Sequence, residues 1–118
     1  MAARDQRVQN AASGDELLEV LQALSNRHRL RVLKVLVDGR NYVSQIARQL
    51  QISRPLLQIH LRKLEKAGLV SSVLELSEEG RSMKFYDVTP FSLELTPRLI
   101  ARAAATLSAA KGEESRDD

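Results

Sequence analysis

Two histidines and no cysteine narrow the chemistry open to this 118-residue chain. Without thiols there is no disulfide, no thiolate metal site, no cysteine nucleophile and no thiol redox sensing. His28 and His60 each fall on a helical stretch without a Ser or Asp partner within sequence reach, and no Gly-rich phosphate loop is present. The parts of an enzyme are therefore missing. What does recur is a set of polar and basic side chains in a short run: Ser53, Arg54, Gln58, Arg62 and Lys63, with Arg81 and Lys84 further on. Arginine and glutamine match the hydrogen-bonding edges of bases, and arginine and lysine match phosphates. The chemistry these residues offer is recognition of a polyanion.

The elements that must position them are legible around that run. Ser44 can cap a helix whose apolar stripe is Ile46, Ala47 and Leu50, and Gln51 and Ile52 make a tight turn. Ser53 is an N-cap candidate for a second helix, with Pro55 in the first turn, where a missing N–H costs nothing. Leu57, Leu61 and Leu64 share one face of it, and Gly68 supplies the left-handed stop. A helix held from behind by leucines, with its capped start exposed, is how a helix-turn-helix presents a reader to the DNA major groove.

Elsewhere, residues 1–12 lack periodic hydrophobicity and are expected to form a disordered arm. Ser13 with Glu16 is a capping box opening a helix with Leu17, Val20, Leu21 and Leu24 on one face. Asn26 starts a second helix, with Leu30, Leu33, Val35 and Leu36 expected inward and Arg27, Arg29, Arg31 and Lys34 largely outward. After Gly68 the period changes. Val70–Leu76, a polar turn over 77–82 and Met83–Val88 predict a β-hairpin with a charged tip. Thr89-Pro90 breaks it, 91–95 is an extended arm, and Thr96-Pro97 starts a last helix expected to reach about Lys111, with Gly112 as the stop. The fold class is mainly α with a small β-hairpin: a winged helix-turn-helix over 13–110 with an added C-terminal helix, followed by an acidic tail at 111–118.

Composition agrees with one small domain. Hydrophobic residues make up 43% but aromatics only 3%, so the core must be built from Leu, Val, Ile and Ala. The net charge is +3, and the last eight residues carry two basic and four acidic groups, which leaves +5 on the rest. A basic body suits nucleic acid, though a charge of that size is weak evidence by itself. No apolar run near 18 residues and no signal-peptide core are present, so a cytoplasmic chain without membrane contact is expected.

At this point the residues resemble a known family. ALSNRHRLRVLKVL is similar to the second-helix signature of ArsR-like repressors, and SRPLLQIHLRKLEKAGLV to their recognition helix. EEGRSMKFYDVTP looks like their wing, a pattern shared with PadR-like regulators. The resemblance implies a repressor that binds double-stranded DNA as a homodimer, two recognition helices reading a pseudo-palindromic operator. It also implies N- and C-terminal dimerisation helices, here with Leu17, Leu21 and Leu24 on the first and Leu99, Ile100, Ala103 and Leu107 on the last. Metal sensors of the family carry Cys-Val-Cys where this chain has Tyr42-Val43-Ser44, or His ligands on the C-terminal helix, which here has none. No metal and no cofactor is therefore expected.

Ser53, Arg54, Gln58 and Ile59 are the candidate base readers, and Arg62, Lys63, Arg81 and Lys84 the candidate phosphate or minor-groove contacts. Plainer readings stand beside these. Arg62, Lys63 and Lys66 could form a solvated face, Arg81 could serve solubility, and Ile59, pointing away from the leucine stripe, is either an exposed accident or a thymine-methyl contact. His60 reads as a packed or phosphate-adjacent residue and His28 as a surface one. A rival function also remains: a winged-helix interaction module that needs a partner protein for DNA binding or for sensing its signal.

Overall fold

The computed structural model describes residues 13–109. Among these described residues, five helices and three strands follow one another in the order α1 (Gly14–Leu24), α2 (Arg27–Val37), β1 (Asn41–Tyr42), α3 (Val43–Leu50), α4 (Arg54–Lys66), β2 (Val70–Leu76), β3 (Ser82–Val88) and α5 (Pro97–Ala104). This is a mainly helical winged helix-turn-helix. Its strands form one antiparallel sheet in the order β1-β3-β2, with Val70 opposite Val88, Leu76 opposite Ser82 and Asn41 opposite Tyr86.

Most helix starts follow from their caps. The Ser13 hydroxyl accepts from the Glu16 N–H, Asn26 Oδ1 from those of His28 and Arg29, Ser53 Oγ from Leu56 and Thr96 Oγ1 from Leu99. Each satisfies a donor that the first turn leaves without an intrahelical partner. The start of α3 differs from expectation. Its N-cap is Tyr42, without a side-chain cap bond, and Ser44 falls inside the first turn. The reason is β1, a two-residue strand with no sequence signature. Its pairing with β3 holds Tyr42 extended, and the helix can begin only where that pairing ends.

Two further expectations are corrected. On α2, Arg29 is buried and Leu30 is 52% exposed, while Val32 is fully enclosed. Arg29, Val32, Leu33 and Leu36 fall at i, i+3, i+4 and i+7, one unbroken face, and Leu30 lies outside it. Helix α5 ends at Ala104, short of the expected Lys111, which lies outside the described residues together with Gly112 and the expected arm and tail. The cause is Thr106. Its hydroxyl accepts from the Gly14 N–H at 2.7 Å and donates to the Ala103 carbonyl at 2.9 Å. The N–H groups of Thr106 and Leu107 reach back three residues, to Ala103 and Ala104, which tightens and closes the last turn.

The core lies where α2, α3 and α4 meet the sheet. Val32, Leu36, Ile46, Leu57, Leu61, Leu64 and Leu69 are sealed within it. A smaller cluster sits apart, where Leu17 and Ala103 pack with Leu21 and Leu93 to join α1 to α5. Behind β3, Thr89 donates through its hydroxyl to the Gly68 carbonyl and through its N–H to that of Leu69, which pins the end of the hairpin to the end of α4.

Candidate nucleic-acid interface

The reader helix is set by a turn of unusual backbone. Gln51 adopts the left-handed conformation with φ 59°, and the Ile52 N–H then returns to the Ala47 carbonyl at 3.1 Å. That reversal throws α4 across α3, and the apolar contact of Ile46, Ala47 and Ile52 with Leu57 and Leu61 locks the angle. With Leu57, His60, Leu61 and Leu64 turned inward, helical geometry sends the remaining side chains out. Ser53, Arg54, Gln58, Arg62 and Lys63 are all exposed, and Ile59 is 43% exposed. The N-terminal end of α4 carries the positive end of the helix dipole.

The hairpin brings its own cations to the same side. At its tip the Ser77 N–H donates to the Arg81 carbonyl at 2.7 Å, the Gly80 N–H to that of Ser77, and the Arg81 N–H to Ser77 Oγ. Gly80 has φ 83°, a conformation open to glycine without cost. Arg54 of α4 lines one open groove with Arg81 and Lys84 of the wing, residues separated by more than a helix and a strand in sequence. Tyr42, Val43, Ser44 and Glu79 are among the other residues that line it. Lys63 sits elsewhere, on the α1 side of the reader helix, beside Gln22, Arg29 and Lys66.

The wing is braced from behind by residues the sequence did not single out. Arg40 donates from Nη1 and Nη2 to the two carboxylate oxygens of Glu75 at 2.7 and 2.8 Å, and its guanidinium lies 4.5 Å from the centre of the Phe85 ring. The hydrogen bonds from Arg40 hold the Glu75 carboxyl below its usual range, and the same bonds raise Arg40. Tyr42 packs edge-on against Phe85 at 5.6 Å. Nothing local in sequence pairs residues 40 and 75; the pairing exists only once the hairpin has folded back.

Behind α4 lies a second arrangement. Arg29 Nε donates to the Ala23 carbonyl at 2.6 Å, Nη2 to the Gln22 carbonyl at 3.1 Å, and Nη1 approaches His60 Nδ1 at 3.1 Å. His60 is buried, and its ring centre lies 5.3 Å from that of His28. No cluster of three or more His, Cys, Asp or Glu side chains able to hold a metal ion exists among the described residues. No helix among them is long and apolar enough to cross a membrane.

Residues 26–72 match the family model described as bacterial regulatory protein, arsR family. An uncharacterised HTH-type transcriptional regulator of Methanocaldococcus jannaschii is 33% identical over 87 residues, covering 74% of this chain and 90% of that protein. The chain belongs to the ArsR family. Members of this family are non-enzymatic, DNA-binding transcriptional regulators, and they bind DNA as homodimers. The transcriptional activator HlyU of Vibrio cholerae is 30% identical over 84 residues, 71% of this chain and 77% of that protein. The fold is shared with a homodimeric winged helix-turn-helix DNA-binding domain of Mycobacterium bovis, at a TM-score of 0.56, 24% identity and coverage of 77% and 73%. In this ArsR-family chain the matched segment runs from the Asn26 cap to the first residues of β2, so it contains α3 and α4 whole. The wing tip and α5 lie beyond it.

Proposed function

We propose that this ArsR-family chain acts as a homodimer on a pseudo-palindromic operator, with α4 in the major groove and the wing against the backbone or minor groove. The observation that carries this reading is the groove in which Arg54 faces Arg81 and Lys84. It gathers three cations from two elements around one groove, beside the carboxylate of Glu79, an arrangement suited to holding a duplex while reading it. Ser53, Arg54, Gln58 and Ile59 then read base edges, Ile59 through a thymine methyl. Arg62, Lys63, Arg81 and Lys84 hold phosphates or a narrowed minor groove. In the dimer, Leu21, Leu24, Leu99, Ile100 and Leu107 meet the partner beside the intrachain contact of Leu17 with Ala103.

The test is selection of bound genomic fragments by the purified chain, with and without a panel of divalent metals. A two-fold symmetric site recovered by the chain alone supports the reading. Recovery only after a second protein is added replaces it with the interaction module that depends on a partner. Because one relative bears the name of an activator, a reporter fused to the selected promoter decides between repression and activation.

A further inference from the structure

The Arg29–His60 contact has a chemical consequence beyond packing. An arginine can only donate, so Nδ1 of His60 must accept, and the ring's one proton sits on Nε2. The ring is thereby neutral, and Nε2 is buried without a hydrogen-bond partner among the described residues. Arg29 is held at its other end by the carbonyls of Gln22 and Ala23, at the carboxyl end of α1. His60 belongs to the inner face of α4, opposite the candidate base readers.

We infer that Arg29 is a positioning residue for DNA recognition: through His60 it ties the reader helix α4 to the end of α1, and protonation of His60 unties the two. A proton can enter only at Nδ1, on the lone pair that Arg29 now uses. Two donors and two positive charges would then stand 3.1 Å apart. Arg29 keeps its two carbonyl acceptors, so the side that yields is α4. Since α1 also belongs to the proposed dimer interface, the joint lies between the dimer contact and the reader.

The surroundings of His60 set the direction of the effect. From α2 it is faced by Arg29 and His28, and on α4 by Lys63. Glu19 of α1 lines a pocket with Arg29, Lys63 and Lys66, and Lys66 Nζ approaches its carboxylate at 3.9 Å. Burial above all, then Arg29, His28 and Lys63, push the His60 imidazole below the usual histidine range. The unfolded chain therefore takes up this proton first, at about pH 6.5. The stabilisation by the neutral pair is complete above that pH and is lost as pH falls through the lowered folded value.

For its functional consequence this rests on the proposed DNA binding, and two measurements separate the joint from that reading. In the first, the full chain is titrated from about pH 7.5 to about pH 5 against a duplex selected by the same chain from a random library, with folding followed by circular dichroism. The wild type should stay folded and lose affinity about tenfold, the change equivalent to one pKa unit between bound and free chain. His60→Asn, whose amide oxygen can accept from Arg29 without ionising, should hold its affinity constant, and His28→Asn should fall like the wild type. Equal losses in wild type and His60→Asn, or no loss in either, would overturn the inference. In the second, nitrogen NMR of the wild-type imidazoles without DNA should show the Nε2-protonated tautomer at neutral pH, with amides of residues 22–25 and of α4 shifting as His60 titrates. An Nδ1-protonated ring, or a titration that leaves the α1 amides in place, overturns it. Failure to select any duplex sinks the proposed function, while the NMR measurement still decides the joint.

Discussion

At the scale of single residues, the outer face of α4 should divide into two kinds of contact. Arg54 opens α4 and lines the groove with the wing. Gln58 follows four residues later on the same helix face, in the first turns where a reader helix's side chains reach base edges. Replacing either by Ala should cost ~1–3 kcal/mol on the selected site and relax preference at one position of each half-site, read by binding to a library of single-base variants. Arg62 sits a turn later, where the proposed complex would place it against phosphates, so Arg62→Ala should weaken all sequences alike. Its plot of log affinity against log salt should flatten by roughly one unit per subunit, or about two per dimer. Intact affinity and preference in Arg54→Ala and Gln58→Ala would show that α4 is not the reader.

At the scale of elements, two joints decide geometry. The first is the seat of α5 on α1. A methyl group at Gly14 would collide with the Ala103 carbonyl and press on the Leu107 side chain, so the glycine is needed for close approach of the two helices. Gly14→Ala should therefore destabilise the chain by ~1–3 kcal/mol, as overpacking does, measured by urea unfolding, and should weaken the dimer in sedimentation. The second joint is the Arg40–Glu75–Phe85 brace. Its ion pair is nearly half exposed, so its loss should leave the unfolding midpoint almost unchanged. What should change is the wing. Arg40→Ala is expected to speed amide exchange across 74–82 and to lower operator affinity, and charge reversal of both partners together should restore slow exchange. Unaltered exchange in Arg40→Ala would remove the brace from any role in holding the wing.

At the scale of the whole molecule, apolar surface is left over. Leu18, Ile100 and Leu107 are each about half exposed although α1 and α5 already pack on one another. A domain this small gains stability by covering such surface in a dimer. Sedimentation at micromolar concentration should give about twice the 13.2 kDa chain mass. Ile100→Glu should yield a folded monomer with greatly reduced operator affinity, because a half-exposed site tolerates charge in the monomer but not in an interface. Half-site centres should fall about 10 base pairs apart or at a multiple of that, as two-fold related helices must enter the groove on one side of the duplex. A persistent monomer that binds a palindrome with full affinity would contradict this arrangement.

The division between what was legible and what was not follows the range of the interactions. Caps, leucine stripes and turns act within a few residues, so the Ser53 cap, the inner face of Leu57, Leu61 and Leu64, the Gly68 stop and the hairpin over 70–88 could be read directly from the order of residues. So could the outward aim of Arg54, Gln58 and Ile59, because helical periodicity that buries one face must expose the other. The features that escaped depend on contacts that tertiary folding assembles, most of them between residues distant in the chain. Strand β1 is two residues long and exists because β3 is beside it. Helix α5 stops early because Thr106 meets Gly14, 92 positions away. The spacing of Arg29 with Val32, Leu33 and Leu36 hinted at a shared inner face, but a guanidinium ordinarily stays in water. Arg29 turns inward because Gln22, Ala23 and His60 supply acceptors no charged side chain could otherwise find in a core, and those acceptors come together only in the folded chain.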